Sequence, residues 1–494
     1  MAFLLWLYLG FALFLPLFRI LALGVGEGVF RVLDEYYLRR YLWSLAYGLG
    51  SGGLVMALSL PLALLFRYRF PLREAYLALA TLPFVLPTPV VALGFLALAG
   101  PRGLLKESTG VDLFGTPWLL FWGSVFYNLG LGLRVLLPLV QALASGPYQA
   151  ARTLGATPWR AFFRVGLPLL LPGLLGGGLL TFLYTFSAFG LPLLLGGQAY
   201  ATLEVEVYTL LAYRLAFPEA AGLIFLQLFT LGLAVFLYTR LPAYPLASPR
   251  LLPAHRPWAL SLGIGVFFLL LYAPLLALLL SFHPGALASA WRSNDFTPLP
   301  LALVNTFRFA LLSLSLALFL GLAYALSARR RGFLELLGLL PLLVSPVAVG
   351  LGYLLAYPGL RGSAFLLVSA YALLAYPLLA RVLLPALRGL PRDLLAAARV
   401  LGATPWRAFF RAELPLLWPA LRSGAALSLA AVLGEFGVSL VLWRPEWTTL
   451  TLAIYERLGR PGALPYEEAL AIALLLMALS GFLFLLLDRA RGPW

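Results

Sequence analysis

The sequence predicts an all-α integral membrane protein with twelve transmembrane helices arranged as two parallel six-helix repeats. Three observations carry that prediction. Hydrophobic residues make up 62% of the 494 and charged ones 11%, with a mean hydropathy of +0.95, far from the roughly 45–50% apolar and about 25% charged of soluble domains. Apolar runs of about 20 residues, enough to cross a hydrocarbon core about 30 Å thick, recur along the whole chain. The decapeptide GATPWRAFFR stands at 155–164 and again at 402–411, 247 residues apart and so half the chain length.

The runs fall near 3–23, 43–66, 76–100, 117–140, 166–190, 219–239, 258–281, 302–326, 334–358, 364–387, 415–442 and 466–487. The first lacks the basic start and small-residue cleavage site of a secretory signal, so it counts as helix one. Arginines strongly outnumber acids in alternate gaps, with Arg67, Arg69, Arg73 and the Arg329-Arg330-Arg331 run as clear markers. The positive-inside rule then places both termini of this multi-pass protein in the cytoplasm. TRLPAYPLASPRLLPAH at 240–256 is rich in proline and short of apolar periodicity, as expected of a linker. The division is a first repeat over 1–240, a cytoplasmic linker over 241–256 and a second repeat over 257–494.

At the 247 offset, RVLLP (134–138) matches RVLLP (381–385), LPLLLPGL (167–174) matches LPLLWPAL (414–421), and Phe189-Gly190 matches Phe436-Gly437. Nearer the start the offset drifts to about 258, where LPFVLPTPVVALGF (82–95) resembles LPLLVSPVAVGLGY (340–353). Six spans return the chain to its starting side, so the repeats are parallel and both decapeptides face the cytoplasm.

Composition excludes several chemistries. The chain has no cysteine, and its two histidines, His255 and His283, lie in different polar gaps, so no metal cluster or cofactor is expected. Lys106 is the only lysine and Glu107 follows it, so no phosphate-binding GxxxxGK[ST] loop exists on this chain. The protein is therefore not expected to be an enzyme. The net charge of +16 sits in loops between apolar runs and reports membrane orientation, not a nucleic-acid partner.

Alanine-rich PYQAARTL and LLAAARVL precede the two decapeptides and favour helix. Gly155 and Gly402 sit where a helix ends in a left-handed residue, which glycine adopts without a Cβ penalty. Thr157-Pro158 and Thr404-Pro405 then restart a helix as N-cap and first-turn proline. The unit is helix, turn, helix. An ordinary interfacial hairpin has this shape too, but packing alone rarely keeps ten identities, exposed residues included. A DNA-binding helix-turn-helix is excluded by flanking spans that leave no room for a groove.

These residues resemble the EAA loop of binding-protein-dependent ABC importer permeases: an acidic-Ala-Ala triplet, Gly four residues on, and later Leu-Pro. Here the triplets are Gln149-Ala150-Ala151 and Ala396-Ala397-Ala398, the glycines Gly155 and Gly402, and the Leu-Pro pairs Leu167-Pro168 and Leu414-Pro415. Both copies depart at the first position, where Gln149 and Ala396 replace the acid, which weakens any ATPase salt bridge from that site. The chain is similar to fused twelve-span permeases of the ferric-iron and thiamine importers, with the type I permease fold. The resemblance implies two ABC ATPase subunits on the cytoplasmic side and an external solute-binding protein. Gln149, Ala150, Ala151, Gly155, Ala156, Thr157, Pro158 and Arg160, with Ala396, Ala397, Ala398, Gly402, Ala403, Thr404, Pro405 and Arg407, become the ATPase-coupling residues.

Charges inside a span usually face a cavity or a partner. Arg134 and Arg381 hold equivalent places in helices 4 and 10, near enough to the cytoplasmic loops to snorkel, and read as anchors. Glu435 lies in GEFG (434–437), where Gly434 and Gly437 would loosen helix 11; its counterpart is the uncharged SAFG (187–190). Ser187, Phe189, Gly190, Glu435, Phe436 and Gly437 are the pathway candidates, with an outer-interface position open for Glu435. LGGQAYATLEVEVYTLL (195–211) and LWRPEWTTLTLAIYERL (442–458) also resemble each other. In the family such segments lie beside the external gate; by themselves they read only as amphipathic.

The expected function is the permease subunit of an ATP-driven importer, moving ferric iron first or thiamine next by alternating access. The alternative is a secondary active transporter built from two six-helix repeats. That would call for buried ion-coupling acids or histidines, of which the sequence offers Glu435 and little else. A membrane-bound enzyme would need a cluster of nucleophiles, metal ligands or carboxylates, and none is visible.

Overall fold

The computed structural model describes residues 2–143, 146–241, 251–293, 297–329, 340–391, 397–398 and 400–487. The first half runs α1 (Phe3–Arg31), α2 (Glu35–Phe66), α3 (Thr88–Ala99), α4 (Pro117–Ala142), α5 (Leu167–Phe186), the short α6 (Gly190–Leu195) and α7 (Leu203–Thr209), then α8 (Phe217–Thr239). The second half repeats the order: α9 (Pro257–Leu280), α10 (Leu299–Ala328), α11 (Pro346–Ala356), α12 (Ala364–Gly389), α13 (Leu414–Leu433), α14 (Gly437–Val441), α15 (Leu450–Leu458) and α16 (Ala463–Leu487). Among the described residues, eleven helices are long and apolar enough to cross a membrane, and α11 is a shorter apolar one.

Two expected continuous spans are broken by proline. In place of 76–100 there is a helix over Arg73–Thr81, a 3₁₀ turn over Leu82–Val85, and α3 restarting after Pro87. In place of 334–358, a 3₁₀ turn at Leu340–Leu343 leads into α11, capped by Ser345 Oγ accepting from the Ala348 amide at 3.2 Å. Residues 330–339 lie outside the described set. Proline is the cause in both: Pro83, Pro87 and Pro89, and Pro341 and Pro346, lack an amide hydrogen and push the preceding residue out of the helical region. At about 1.5 Å per residue, an eleven-residue α11 falls well short of the hydrocarbon thickness.

Within each half, three helices pack together: α2, α4 and α5 in the first, and α10, α12 and α13 in the second. Small residues set the spacing; a Cβ on Gly52 would lie 2.7 Å from the Gly178 carbonyl oxygen. The first helix of each half crosses to the other. α1 packs on α11, and α9 packs on α3. A Cβ on Gly352 would meet Pro16 Cβ at 2.8 Å, and one on Gly94 would meet the Pro274 carbonyl oxygen at 2.9 Å. These are the same contact seen twice, since both residues of one pair map onto the other at the 258 offset. Tyr hydroxyls fasten each crossing: Tyr8 donates to the Ser369 carbonyl and Tyr357 to the Phe11 carbonyl, both at 2.7 Å, while Tyr272 donates to the Leu79 carbonyl at 2.6 Å.

The only sheet among the described residues is one parallel pairing of β1 (Tyr68–Arg69) with β2 (Leu252–Pro253). It ties the end of the inter-half segment to the loop after α2. Residues 242–250 of the expected linker lie outside the described set.

Candidate functional site

The two decapeptides fold alike, bond for bond. Gly155 has φ of +89° and Gly402 +82°, the left-handed region in which a side chain is strained. The Ala156 amide donates to the Ala151 carbonyl at 3.1 Å, and Ala403 to Ala398 at 3.0 Å. Thr157 and Thr404 cap the second helix, each Oγ accepting from the amide of Arg160 or Arg407 at 3.4 Å. Trp159 stacks on Phe163 with ring centroids 5.9 Å apart, and Trp406 on Phe410 at 6.0 Å. A π-helical turn follows in both, over Phe162–Gly166 and Phe409–Glu413, before α5 and α13 begin. Each knob holds large apolar side chains outward: Leu154 and Leu401 are both 87% exposed, Trp159 73% and Trp406 60%.

The second knob has an extra tie. Arg329 at the end of α10 donates to Glu413 at 2.6 Å, and Glu413 is buried. Gly166 stands at the equivalent place in the first half, so this brace is one-sided.

At the centre of the molecule, α5 ends at Phe186 and α13 at Leu433, and the chain restarts at Gly190 and Gly437. A cavity of about 110 Å³ lies between the two breaks, lined by Thr88, Ser187, Phe189, Gly190, Pro346, Gly434, Glu435, Phe436 and Gly437. Eight of the nine form four equivalent pairs across the halves: Thr88 with Pro346, Ser187 with Gly434, Phe189 with Phe436, and Gly190 with Gly437. Glu435, opposite Ala188, has no counterpart. Equivalent residues that meet must lie on the pseudo-twofold axis, and the Phe189 and Phe436 rings meet with centroids 5.8 Å apart. Each Phe also covers the other half's glycine: a Cβ on Gly437 would come within 3.3 Å of Phe189, and one on Gly190 within 3.6 Å of Phe436.

Glu435 caps α14. Its Oε1 accepts from the Val438 amide at 3.0 Å, and its backbone carbonyl accepts from Ser439 Oγ at 3.1 Å and Thr451 Oγ1 at 3.2 Å.

A further aromatic layer adjoins the phenylalanines. Tyr208 on α7 packs edge-on to Phe189, and Tyr455 on α15 edge-on to Phe436, both with centroids 5.4 Å apart. These two tyrosines are equivalent at the 247 offset. Burial pushes both tyrosine hydroxyls above their ordinary value.

Glu204, on α7 outside the eleven long helices, is fully buried. Gln227, Ser345 and the Val347 amide surround it, yet neither carboxylate oxygen has a partner in bonding geometry. Burial pushes this carboxyl up to about 7. A raised acid pKa favours the fold below the unfolded value and costs stability as pH climbs to the folded one. Glu204→Gln is therefore expected to stabilise the fold by on the order of 2–3 kcal/mol at pH 8 and far less at pH 5, read as a higher unfolding temperature in detergent. An equal gain at both pH values would contradict this.

The sequence profile of the family described as "Binding-protein-dependent transport system inner membrane component" matches residues 52–282 and again 261–493. The chain belongs to that family. It is a fused, two-repeat permease of the ABC importers, a multi-pass inner-membrane component. The permease is 28% identical over 458 residues to the thiamine transport system permease protein of Escherichia coli, covering 87% of this chain and 84% of the relative. With the Haemophilus influenzae thiamine transport system permease protein it shares 27% over 512 residues, 96% of this chain and 92% of the relative. A putative 2-aminoethylphosphonate transport system permease protein of Salmonella choleraesuis is 29% identical over 259 residues, 50% of this chain and 97% of the relative.

All six pathway candidates of the permease line the cavity between the two breaks. The loop candidates assemble into the two knobs, except that Ala396 lies outside the described residues. Thr88, Pro346, Tyr208 and Tyr455 were missed, although the 258 and 247 offsets pair them in the sequence. Arg381, read as an anchor, donates to the Tyr184 hydroxyl of the first half at 3.4 Å.

Proposed function

We propose that this permease imports a small organic solute, handed over by an external binding protein, by alternating access driven by two ABC ATPase subunits that hydrolyse ATP on its cytoplasmic side. The observation that carries this reading is the pair of matching knobs with exposed Leu and Trp tips. Exposed apolar patches rimmed by polar residues are the signature of docking surfaces, and two identical ones suit two copies of one partner. The knobs comprise the coupling residues, from Gln149 to Arg160 and from Ala396 to Arg407, with both termini on the same side. The two repeats, 1–240 and 257–494, are the lever arms, and 241–256 joins them in the cytoplasm.

Ser187, Phe189, Gly190, Glu435, Phe436 and Gly437 are the central gate. A cavity of about 110 Å³ is small beside the roughly 300–1,000 Å³ of ligand pockets, so an organic solute passes only when Phe189 and Phe436 part. Thiamine or a related molecule is the preferred cargo, ahead of the ferric iron first expected. The relatives matched over most of both chains carry thiamine in their names.

The test is reconstitution of the chain in vesicles with its ATPase subunits and its binding protein. Uptake is expected only with ATP inside the side bearing the knobs and with binding protein on the other. Uptake by the chain alone, powered by a proton or sodium gradient, overturns the reading in favour of a secondary carrier.

A further inference from the structure

Phe189 and Phe436 meet as equals, but the breaks that carry them are tied unequally. In the second half, Glu435 stands directly before its phenylalanine and caps α14 through the Val438 amide at 3.0 Å. Its carbonyl accepts from Ser439 Oγ at 3.1 Å and from Thr451 Oγ1 of α15 at 3.2 Å. Ser439 also bonds the Tyr371 hydroxyl, which carries the tie across to α12. Tyr371, Ser439 and Thr451 are buried, so water does not compete for these bonds. At the 247 offset the four residues Tyr371, Glu435, Ser439 and Thr451 become Ser124, Ala188, Pro192 and Glu204, and none keeps its bond. Ser124 Oγ turns to Thr185 Oγ1 at 3.2 Å. Ala188 and Pro192 have no polar side-chain atom, and Glu204 faces Gln227 and Ser345. Among the described residues, one side chain reaches the Ala188 carbonyl, Thr202 Oγ1 at 3.5 Å, the outer limit of a hydrogen bond.

A net hydrogen bond shifts a two-state equilibrium roughly fivefold. The bonds at Glu435 therefore hold the Phe436 arm at least an order of magnitude more firmly than Thr202 alone holds the Phe189 arm. We propose that Glu435 is a positioning residue: it fixes Phe436 through the break between α13 and α14, so that the gate opens by movement of Phe189. This rests on the permease reading, in which the two rings must part for a solute to pass. Glu435 then acts on the solute only through the ring beside it, and its carboxylate serves as a cap in place of a ligand.

The test follows the two rings separately in the full chain, assembled in membranes with its ATPase subunits and its binding protein. The chain carries para-fluorophenylalanine at position 189 or at 436, and the fluorine resonance is recorded without nucleotide and during turnover of magnesium-ATP. The label at 189 is expected to gain a second resonance during turnover, while the label at 436 keeps one. Glu435→Ala is expected to raise the displaced population at 436 roughly tenfold. Glu435→Gln, whose amide oxygen still accepts from the Val438 amide, restores the single resonance. Thr451→Val removes one bond, leaves the cap in place, and gives a smaller second resonance at 436. Equal responses at 189 and 436 in the unsubstituted chain overturn the proposal, as does a 436 resonance that stays single in Glu435→Ala. So does Glu435→Gln behaving as Glu435→Ala does, since the carboxylate then acts through its charge on a cationic cargo. ATP-driven uptake by the same preparations keeps the two readings apart. Uptake with both rings moving alike sinks this proposal alone, whereas absence of uptake sinks the permease reading beneath it.

Discussion

Gly155→Pro combined with Gly402→Pro is expected to abolish ATP-driven uptake and co-purification of the ATPase, with the chain still inserted in the membrane. Both glycines hold φ near +85°, at +89° and +82°, whereas proline fixes φ near −65°. The Gly155 amide also donates to the Arg152 carbonyl at 3.1 Å, a bond that proline removes. Each substitution opposes the native turn by about 3 kcal/mol or more, which shifts a two-state loop roughly a hundredfold. The Leu and Trp tips on either side then lose their shared orientation. Gly155→Ala with Gly402→Ala is the graded control: a Cβ meets nothing within 4 Å at either position, so only left-handed strain of about 1–2 kcal/mol remains. Uptake measured in vesicles should fall in the order wild type, alanine pair, proline pair. Full uptake by the proline pair would remove the knobs from the mechanism.

Arg457→Leu is expected to cost about 3–5 kcal/mol of stability, read as a large drop in unfolding temperature in detergent. Arg457 is fully buried, and its Nε donates to Glu468 at 3.0 Å. Its Nη1 donates to Thr297 Oγ1 at 3.1 Å and to the Thr297 and Ala453 carbonyls at 3.3 and 3.4 Å. Glu468 in turn accepts from Ser289 Oγ at 2.7 Å. The pair thus joins α15 to α16 and to the segments that precede α10. Removing the guanidinium alone strands a buried carboxylate, which is the expensive case. Arg457→Leu with Glu468→Leu should recover much of the loss, because a buried ion pair and an apolar replacement are often close in energy. If the double variant is as unstable as the single one, the cost lies in packing and not in the unpaired charge.

Much of this was legible because the sequence states it twice. The repeat of GATPWRAFFR led directly to two turns with the same left-handed glycine, the same threonine cap and the same stacked Trp-Phe pair. Phe189-Gly190 and Phe436-Gly437 were found the same way, and Gly434 and Gly437 did mark the end of α13. Hydropathy placed most spans but could not see the breaks at Pro87 and Ser345, since a window average is blind to a missing amide hydrogen. Nor could it find the partner of a buried charge. Arg457 looks like an ordinary interfacial arginine in LAIYERL, and its only clue is Leu210 at the equivalent place. Arg134 and Arg381 were visible at equivalent places, but helix depth alone does not say what a side chain reaches, and the Tyr184 partner of Arg381 was not legible.

α1 is held from both halves at once. Pro16 meets Gly352 of α11 in the other half, while a Cβ on Gly24 would lie 2.7 Å from the Ala221 carbonyl oxygen of α8 in its own half, and Arg31 pairs with Glu219 at 3.2 Å. Parting Phe189 from Phe436 must therefore slide one of these two seams, and the glycines that make them close also fix how far α1 can follow either side.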